Sequence, residues 1–439
     1  MSLSPQRREE VIDALRRGTV PRSSLDAFAV GLGGFEAVLE EELRKVQAGG
    51  SVFKAVRGEY GCGKTFFARW LSDRARKQGL ATSEVQISET ETPLHRLETV
   101  YRRLMERLST ANTPQGALRN IIDGWFYSLE EDVLAEGTVD PNDQAQLVAR
   151  TGELLEQRLA QVSTSAPMFS AALRGYRAAQ LEGDRAAADG VLGWLAGQPN
   201  VAASAKRIAG VKGDIDHFGA LSFLQGVLLM LRDSGHPGLL LILDEVETIQ
   251  RVRGDVRDKS LNALRQLIDE VDAGRFPGLY LLITGTPAFF EGPQGVGRLE
   301  PLAQRLQVDF QTDGRFDNPR AVQIRLPGFS LDRLTAVGCK VRDIFGQHAR
   351  APDRVKALCD DRYIGDLAGG VAGKLGGKVG VAPRIFLKKL VADVLDRVDQ
   401  YPDFEPRRDY TLKLVEGELT ATERQALGAT DVDDIELNL

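Results

Sequence analysis

The octapeptide Gly58-Glu59-Tyr60-Gly61-Cys62-Gly63-Lys64-Thr65 has the spacing G-x-x-x-x-G-K-[ST], a pattern whose chemistry is the cradling of a nucleoside triphosphate. Gly58, Gly61 and Gly63 permit backbone conformations closed to residues with a Cβ, so successive N–H groups can turn toward phosphate oxygens. Lys64 is placed to bridge β- and γ-phosphates, and the Thr65 hydroxyl to ligate Mg²⁺. A nucleoside triphosphate and Mg²⁺ are therefore the expected ligands. Glu59, Tyr60 and Cys62 complete the binding loop. Cys62 reads either as a small residue tolerated there or, beside Lys64, as an alkylation-sensitive thiol.

A Mg²⁺·nucleotide site needs a carboxylate from elsewhere in the chain. Asp244, closing the apolar run Leu239-Leu-Leu-Ile-Leu243, is the expected metal-side acid. Its neighbour Glu245 is positioned to polarise a water for in-line attack on the γ-phosphate, which favours hydrolysis over transfer. The competing reading of the pair is a helix cap. Thr284, after the run Leu279-Tyr-Leu-Leu-Ile283, can hydrogen-bond the attacking water or the γ-phosphate; it can equally be a turn residue, with Thr286 as its competitor. Arg384 follows Pro383 at a predicted helix start and can reach the phosphates, but a cation there opposes the helix dipole and needs a compensating anion. Arg298 and Arg305 are each either an arginine finger for a neighbouring subunit or half of a surface ion pair.

These residues require elements that bring them together. Ser51–Arg57 reads as a strand entering the loop and Thr65–Gln78 as the helix leaving it, with its positive end toward the phosphates. Ala81–Ser88 alternates as a second strand. Leu239–Asp244 and Leu279–Ile283 are continuous apolar runs of the kind buried on both faces of a parallel sheet, and Val322–Leu326 is a further strand. Helical patterns intervene: 7–17, a second one using Phe35, Leu39 and Leu43, one from Leu94 to Leu108, and one over 257–273. The expected fold is α/β, a three-layer doubly wound parallel sheet with ligands at the carboxyl ends of its strands. The interval from Lys64 to Asp244 far exceeds the ~30 residues of a single crossover, so a large helical insertion is expected at about 111–216. The expected organisation is a helical lead-in over 1–50, the nucleotide-binding domain over 51–329, a small helical domain over 330–401 and an acidic tail over 402–439.

Composition narrows the class. With 27% charged and 43% hydrophobic residues the chain reads as globular. The start Met1-Ser-Leu-Ser-Pro-Gln-Arg-Arg has no apolar targeting core, and no charge-free stretch approaches the ~20 residues that span a bilayer, so a cytoplasmic protein without a membrane partner is expected. Cys62, Cys339 and Cys359 are too scattered for a disulfide framework or a C-x-x-C metal site, and the four histidines are equally dispersed. The net charge of −6 argues against general nucleic-acid coating. One basic stretch with no acid carries Lys374, Lys378, Arg384, Lys388 and Lys389, while the tail from Val415 carries Glu416, Glu418, Glu423, Asp431, Asp433, Asp434 and Glu436 against Arg424 alone.

Gly58–Thr65, Leu241-Ile-Leu-Asp-Glu245, Thr284-Gly-Thr-Pro287 and Val381-Ala-Pro-Arg384 resemble, in order and type, the Walker A, Walker B, sensor 1 and sensor 2 motifs of AAA+ ATPases. A more specific resemblance is to the ATP-binding proteins of BREX bacteriophage-defence systems, the BrxC/BrxD family, on its BrxD-like side. It is carried by Arg16-Arg-Gly-Thr-Val-Pro21, Phe53-Lys-Ala-Val-Arg-Gly-Glu-Tyr60, Gln86-Ile-Ser-Glu-Thr-Glu-Thr-Pro-Leu-His-Arg96 and Ile324-Arg-Leu-Pro-Gly328. The likeness implies an AAA+-type ATPase whose helical domain over 330–401 is a lid, with other BREX defence proteins as partners. A homo-oligomer and DNA are further partners it leaves open. The winged-helix domain that follows the lid in initiator-type AAA+ proteins is not expected. Two other functions compete: a non-hydrolysing ATP-binding scaffold, and a DNA-loading or remodelling ATPase touching duplex through Lys374, Lys378, Lys388 and Lys389.

Overall fold

A computed structural model describes residues 3–310, 313–377, 380, 382–420 and 423–424. Lys378, Val381 and the acids from Asp431 to Glu436 lie outside the described residues. The fold is α/β. Five strands, β1 (Val52–Arg57), β2 (Ala81–Gln86), β3 (Leu239–Asp244), β4 (Leu279–Gly285) and β5 (Gln323–Arg325), form a sheet in the order β2-β3-β4-β1-β5. β2, β3 and β4 run parallel, with Ala81 opposite Leu239 and Leu239 opposite Leu279. Every residue of β3 and β4 is buried, as expected of uninterrupted apolar runs. The predicted fifth strand is shorter than its pattern, only three residues long.

The described residues fall into two compact units. One draws on Met1–Leu39, Val56–Asp73 and Asp309–Leu439, the other on Glu40–Ala55 and Arg74–Val308. In the first, α1 (Pro5–Arg16) precedes a stretch that docks on the helix after the glycine-rich loop; that helix is α3 (Lys64–Lys77), with α2 (Gly33–Gln47) between them in sequence. The Arg69 guanidinium donates to the Val20 carbonyl at 2.8 Å, the Trp70 indole donates to Asp26 at 2.8 Å, and Phe28 meets Phe66 edge-on.

In the second unit, α4 (Leu97–Arg107) follows β2. Five helices then fill the predicted helical stretch: α5 (Leu118–Ala135), α6 (Gln144–Ser165), α7 (Pro167–Leu181), α8 (Arg185–Leu195) and α9 (Ala203–Ile208). α7 and α8 are tied to α10 (His217–Asp233) through Phe223, whose ring is met at 5.5 Å by Phe169 and Trp194, while Tyr101 of α4 meets the same ring at 5.9 Å. Each such pair contributes about 0.5–1.5 kcal/mol beyond its buried area. α11 (Gly254–Asp272) joins β3 to β4, and α12 (Pro287–Glu291) and α13 (Glu300–Leu306) follow β4. The strand β1 holds an ionisable residue no strand pattern suggests. The Lys54 ammonium, 1% exposed, sits 2.6 Å from Glu42 of α2, which also accepts the Tyr280 hydroxyl at 2.6 Å. A charge this deep persists only because it is paired.

Past β5, α14 (Leu331–Gly346), α15 (Pro352–Leu358), α16 (Asp361–Lys374) and α17 (Pro383–Lys388) give the all-helical stretch expected from the sequence. α17 runs directly into a π-helical segment, Lys389–Leu395. Wide turns of this kind occur preferentially at functional positions.

Candidate functional site

The glycine-rich octapeptide leaves β1 and ends in the first turn of α3. Gly61 and Gly63 hold φ of +81° and +95°, a region costly to any residue with a Cβ. At Gly58 the restriction is spatial, because a Cβ there would fall 2.3 Å from the Cys62 sulfur. The loop curls around its own lysine: the buried Lys64 ammonium donates to the Gly58 carbonyl at 2.8 Å and lies 5.1 Å from the centre of the Tyr60 ring. An ammonium already drawn inside a loop of permissive glycines, at a helix start, suits a polyphosphate whose oxygens replace the loop carbonyls. Burial raises the Cys62 thiol above its ordinary pKa, although Lys64 pulls the other way. The sulfur is a packing atom in this loop, and its activation by Lys64 is outweighed.

Three of the expected residues, Asp244, Glu245 and Thr284, meet at the ends of β3 and β4. The Thr284 hydroxyl, with no solvent exposure, donates to Asp244 Oδ1. It also accepts the Glu245 N–H at 3.2 Å, and the same N–H reaches Asp244 Oδ1 at 3.2 Å. Asp244 is buried, and its hard oxygens, like the Thr65 hydroxyl, are the donor type Mg²⁺ takes. Glu245 has φ +59° and ψ +45°, a left-handed conformation for a residue with a side chain; such a position costs on the order of 1 kcal/mol or more and persists where its surroundings over-determine it. The surroundings do. Besides its N–H contacts, its carbonyl accepts the Thr248 hydroxyl at 3.0 Å, and its carboxylate accepts the Gln86 amide at 2.9 Å.

Gln86 is the residue the sequence did not single out as functional. It closes β2, and the parallel register places it opposite Asp244, so its side chain meets the next residue along. A polar residue ending an otherwise alternating strand was the available signal. Of the two threonines, Thr284 hydrogen-bonds Asp244 and the Glu245 N–H, while Thr286 precedes α12 without a side-chain cap bond.

The arginines are each engaged inside the chain. Arg298 forms a two-pronged pair with Asp258, its Nη2 at 3.2 Å from Oδ2, and holds that carboxyl below its usual range. Arg305 pairs with Asp269 and donates to the Pro301 carbonyl at 2.8 Å. Both pairs lie on exposed faces, where holding energy is small and the side chains remain available to another partner. Arg384 donates to Glu423 through Nε at 3.0 Å and through Nη2, and Nη2 also reaches the Glu418 carbonyl at 2.5 Å. Lys388 and Lys389 are bound to Glu418, at 3.0 and 2.6 Å, whereas Lys374 is exposed.

A family model for the BREX system ATP-binding protein BrxC/D matches residues 3–414. The chain belongs to that family. No curated protein and no solved structure matches it. Among the described residues no helix is long and apolar enough to cross a membrane.

Proposed function

We propose that this BREX-family ATP-binding protein is a Mg²⁺-dependent ATPase of the AAA+ type, slow in turnover, whose nucleotide state controls its role in an anti-phage defence complex. The observation that carries the reading is the Asp244–Glu245–Thr284 constellation: an acid next to a second acid, both fixed by one buried hydroxyl at adjacent strand ends. Gly58–Thr65 would bind the phosphates, with Lys64 exchanging its loop carbonyls for phosphate oxygens. The Thr65 hydroxyl and the Asp244 carboxylate would hold Mg²⁺, which supplies neutralisation of charge on the phosphates. Glu245 would orient water and take its proton at a carboxylate oxygen. Gln86 competes for that oxygen, so the resting arrangement restrains the base. The helices over 330–401 would serve as a lid presenting Arg384, and Arg298 or Arg305 would complete a neighbouring copy's site in a homo-oligomer.

The held Glu245 also supports a second reading, an ATP-binding scaffold that does not turn over. Titration with a fluorescent ATP analogue, with Mg²⁺ and with EDTA, separates binding from hydrolysis. The proposal expects saturable, Mg²⁺-strengthened binding that Lys64→Ala weakens by roughly 10²-fold or more, the loss of about two charge-assisted hydrogen bonds. Equal affinity in wild type and Lys64→Ala would remove the assignment of this loop.

A further inference from the structure

Three cations, Arg384, Lys388 and Lys389, lie close together along α17 and the start of the π-helical segment in the first compact unit; two carboxylates from a later stretch of the chain meet them, and Lys389 also pairs with Asp393 at 3.1 Å. Arg384 opens α17, where the helix dipole disfavours a cation and an anion must compensate. The compensating group is Glu423, only 3% exposed, which takes the guanidinium through both carboxylate oxygens. Glu423 is itself held in place by Thr420: the Thr420 N–H donates to its carboxylate at 2.7 Å, and the Thr420 hydroxyl accepts its N–H at 3.3 Å. This is the reciprocal arrangement of a capping box. Glu418 contributes its carbonyl to Arg384 and its carboxylate to Lys388 and to the buried Lys389, the first residue of the π-helical segment. Three of the five N–H groups of Arg384 are directed at this segment, all of which lies beyond residue 414, where the family match stops.

We propose that the segment around Glu418 and Glu423 is a tethered anionic latch: it occupies Arg384 as a phosphate would, and ATP must displace it before the arginine can act on the nucleotide. The inference rests on the reading of Arg384 as a phosphate-seeking lid residue. A planar carboxylate and a phosphoryl group offer a guanidinium the same two-oxygen edge, so the two ligands exclude one another on the Nε–Nη2 face. While the latch holds, the fraction of molecules competent for tight binding is reduced, and the apparent Kd rises in proportion. Glu418 and Glu423 thus act as regulatory residues, and both lie outside the loop and the acid pair.

The test compares full-length wild type, Glu418→Ala/Glu423→Ala, Arg384→Ala, and the three substitutions combined, reading the Kd for a fluorescent ATP analogue and the rate of phosphate release. The latch predicts that the double variant binds ATP roughly tenfold more tightly than wild type and that the gain vanishes when Arg384 is also removed. A double variant with unchanged or weaker ATP affinity, while Arg384→Ala still weakens binding, overturns the latch and leaves the lid reading standing. If Arg384→Ala changes nothing in either background, the reading of Arg384 fails and the latch falls with it. Should the double variant fold poorly, Glu423→Gln keeps the packing and removes the charge, with tighter ATP binding expected and unchanged binding contrary. Hydrogen exchange over residues 416–420 gives a readout apart from affinity: faster exchange on adding ATP is expected, and protection that ATP leaves unchanged overturns the proposal.

Discussion

Replacing Thr284 by valine keeps the side chain's shape and removes one oxygen, at a position with no solvent exposure. Two hydrogen bonds go with it. The donation to Asp244 Oδ1 is a bond to a carboxylate, worth about 1.5–3 kcal/mol, and the one accepting the Glu245 N–H at 3.2 Å about 0.5–1.5 kcal/mol. No water can replace either partner, so their sum, roughly 2–4 kcal/mol, sets the expected destabilisation. In a unit of this size that lowers Tm by on the order of 5–10 °C. The effect on chemistry is larger than on binding. Glu245 sits in a left-handed conformation that its N–H contacts help to impose, and loss of that restraint displaces the carboxylate proposed as the base; misplacement by about 1 Å costs on the order of 10²-fold in rate. Phosphate release should therefore fall about a hundredfold while the Kd for ATP, set by the Lys64 loop, changes little. Thr284→Ser, which keeps the oxygen, should recover most of both losses. A valine variant with wild-type Tm and turnover, or a serine variant as impaired as valine, would refute the argument.

Gln86→Ala frees the Glu245 carboxylate from its 2.9 Å bond; basal phosphate release is expected to rise by roughly tenfold or more, the lower end of what one hydrogen bond to a charged group is worth, as measured at saturating ATP. Arg298→Ala and Arg305→Ala break only exposed pairs with Asp258 and Asp269, so calorimetry should find Tm nearly unchanged. If either arginine serves a neighbouring copy, turnover will fall with protein concentration held high and ATP binding intact. Cys62 should react with N-ethylmaleimide more slowly than an ordinary thiol at pH 8, because burial favours the neutral thiol and raises its pKa. The rate should go on climbing above pH 9, and ATP should slow it further, as followed by mass spectrometry.

The features legible in the sequence are those whose physics is local. The loop Gly58–Thr65 is one contiguous turn whose glycines and lysine serve each other, so spacing alone reveals it. β3 and β4 are legible because strands buried on both faces run apolar almost throughout, with Asp244 and Thr284 only near their ends. Arg384 shows the limit of such reasoning: its place at a helix start demanded an anion, yet nothing local identified Glu423, 39 residues further on. Gln86 escaped the sequence reading as a functional residue because its partner Glu245 lies 159 positions away and meets it only through the register of β2 on β3. Lys54 is a similar case. A lysine in mid-strand reads as an exposed edge, and only Glu42 and Tyr280, brought from α2 and β4, make its burial tolerable.

The claim that the acid pair Asp244–Glu245 hydrolyses ATP is tested most directly by steady-state phosphate release from wild type beside Glu245→Gln, with ATP affinity measured on the same samples. The substitution keeps the size and one acceptor oxygen at 245 and removes the charge, and with it the capacity to take a proton. The expected result is Mg²⁺-dependent turnover in wild type, lost by about 10²-fold or more in the variant, with ATP binding retained in both. Turnover that survives the substitution, or a wild type that binds ATP tightly and releases no phosphate above background, would contradict it.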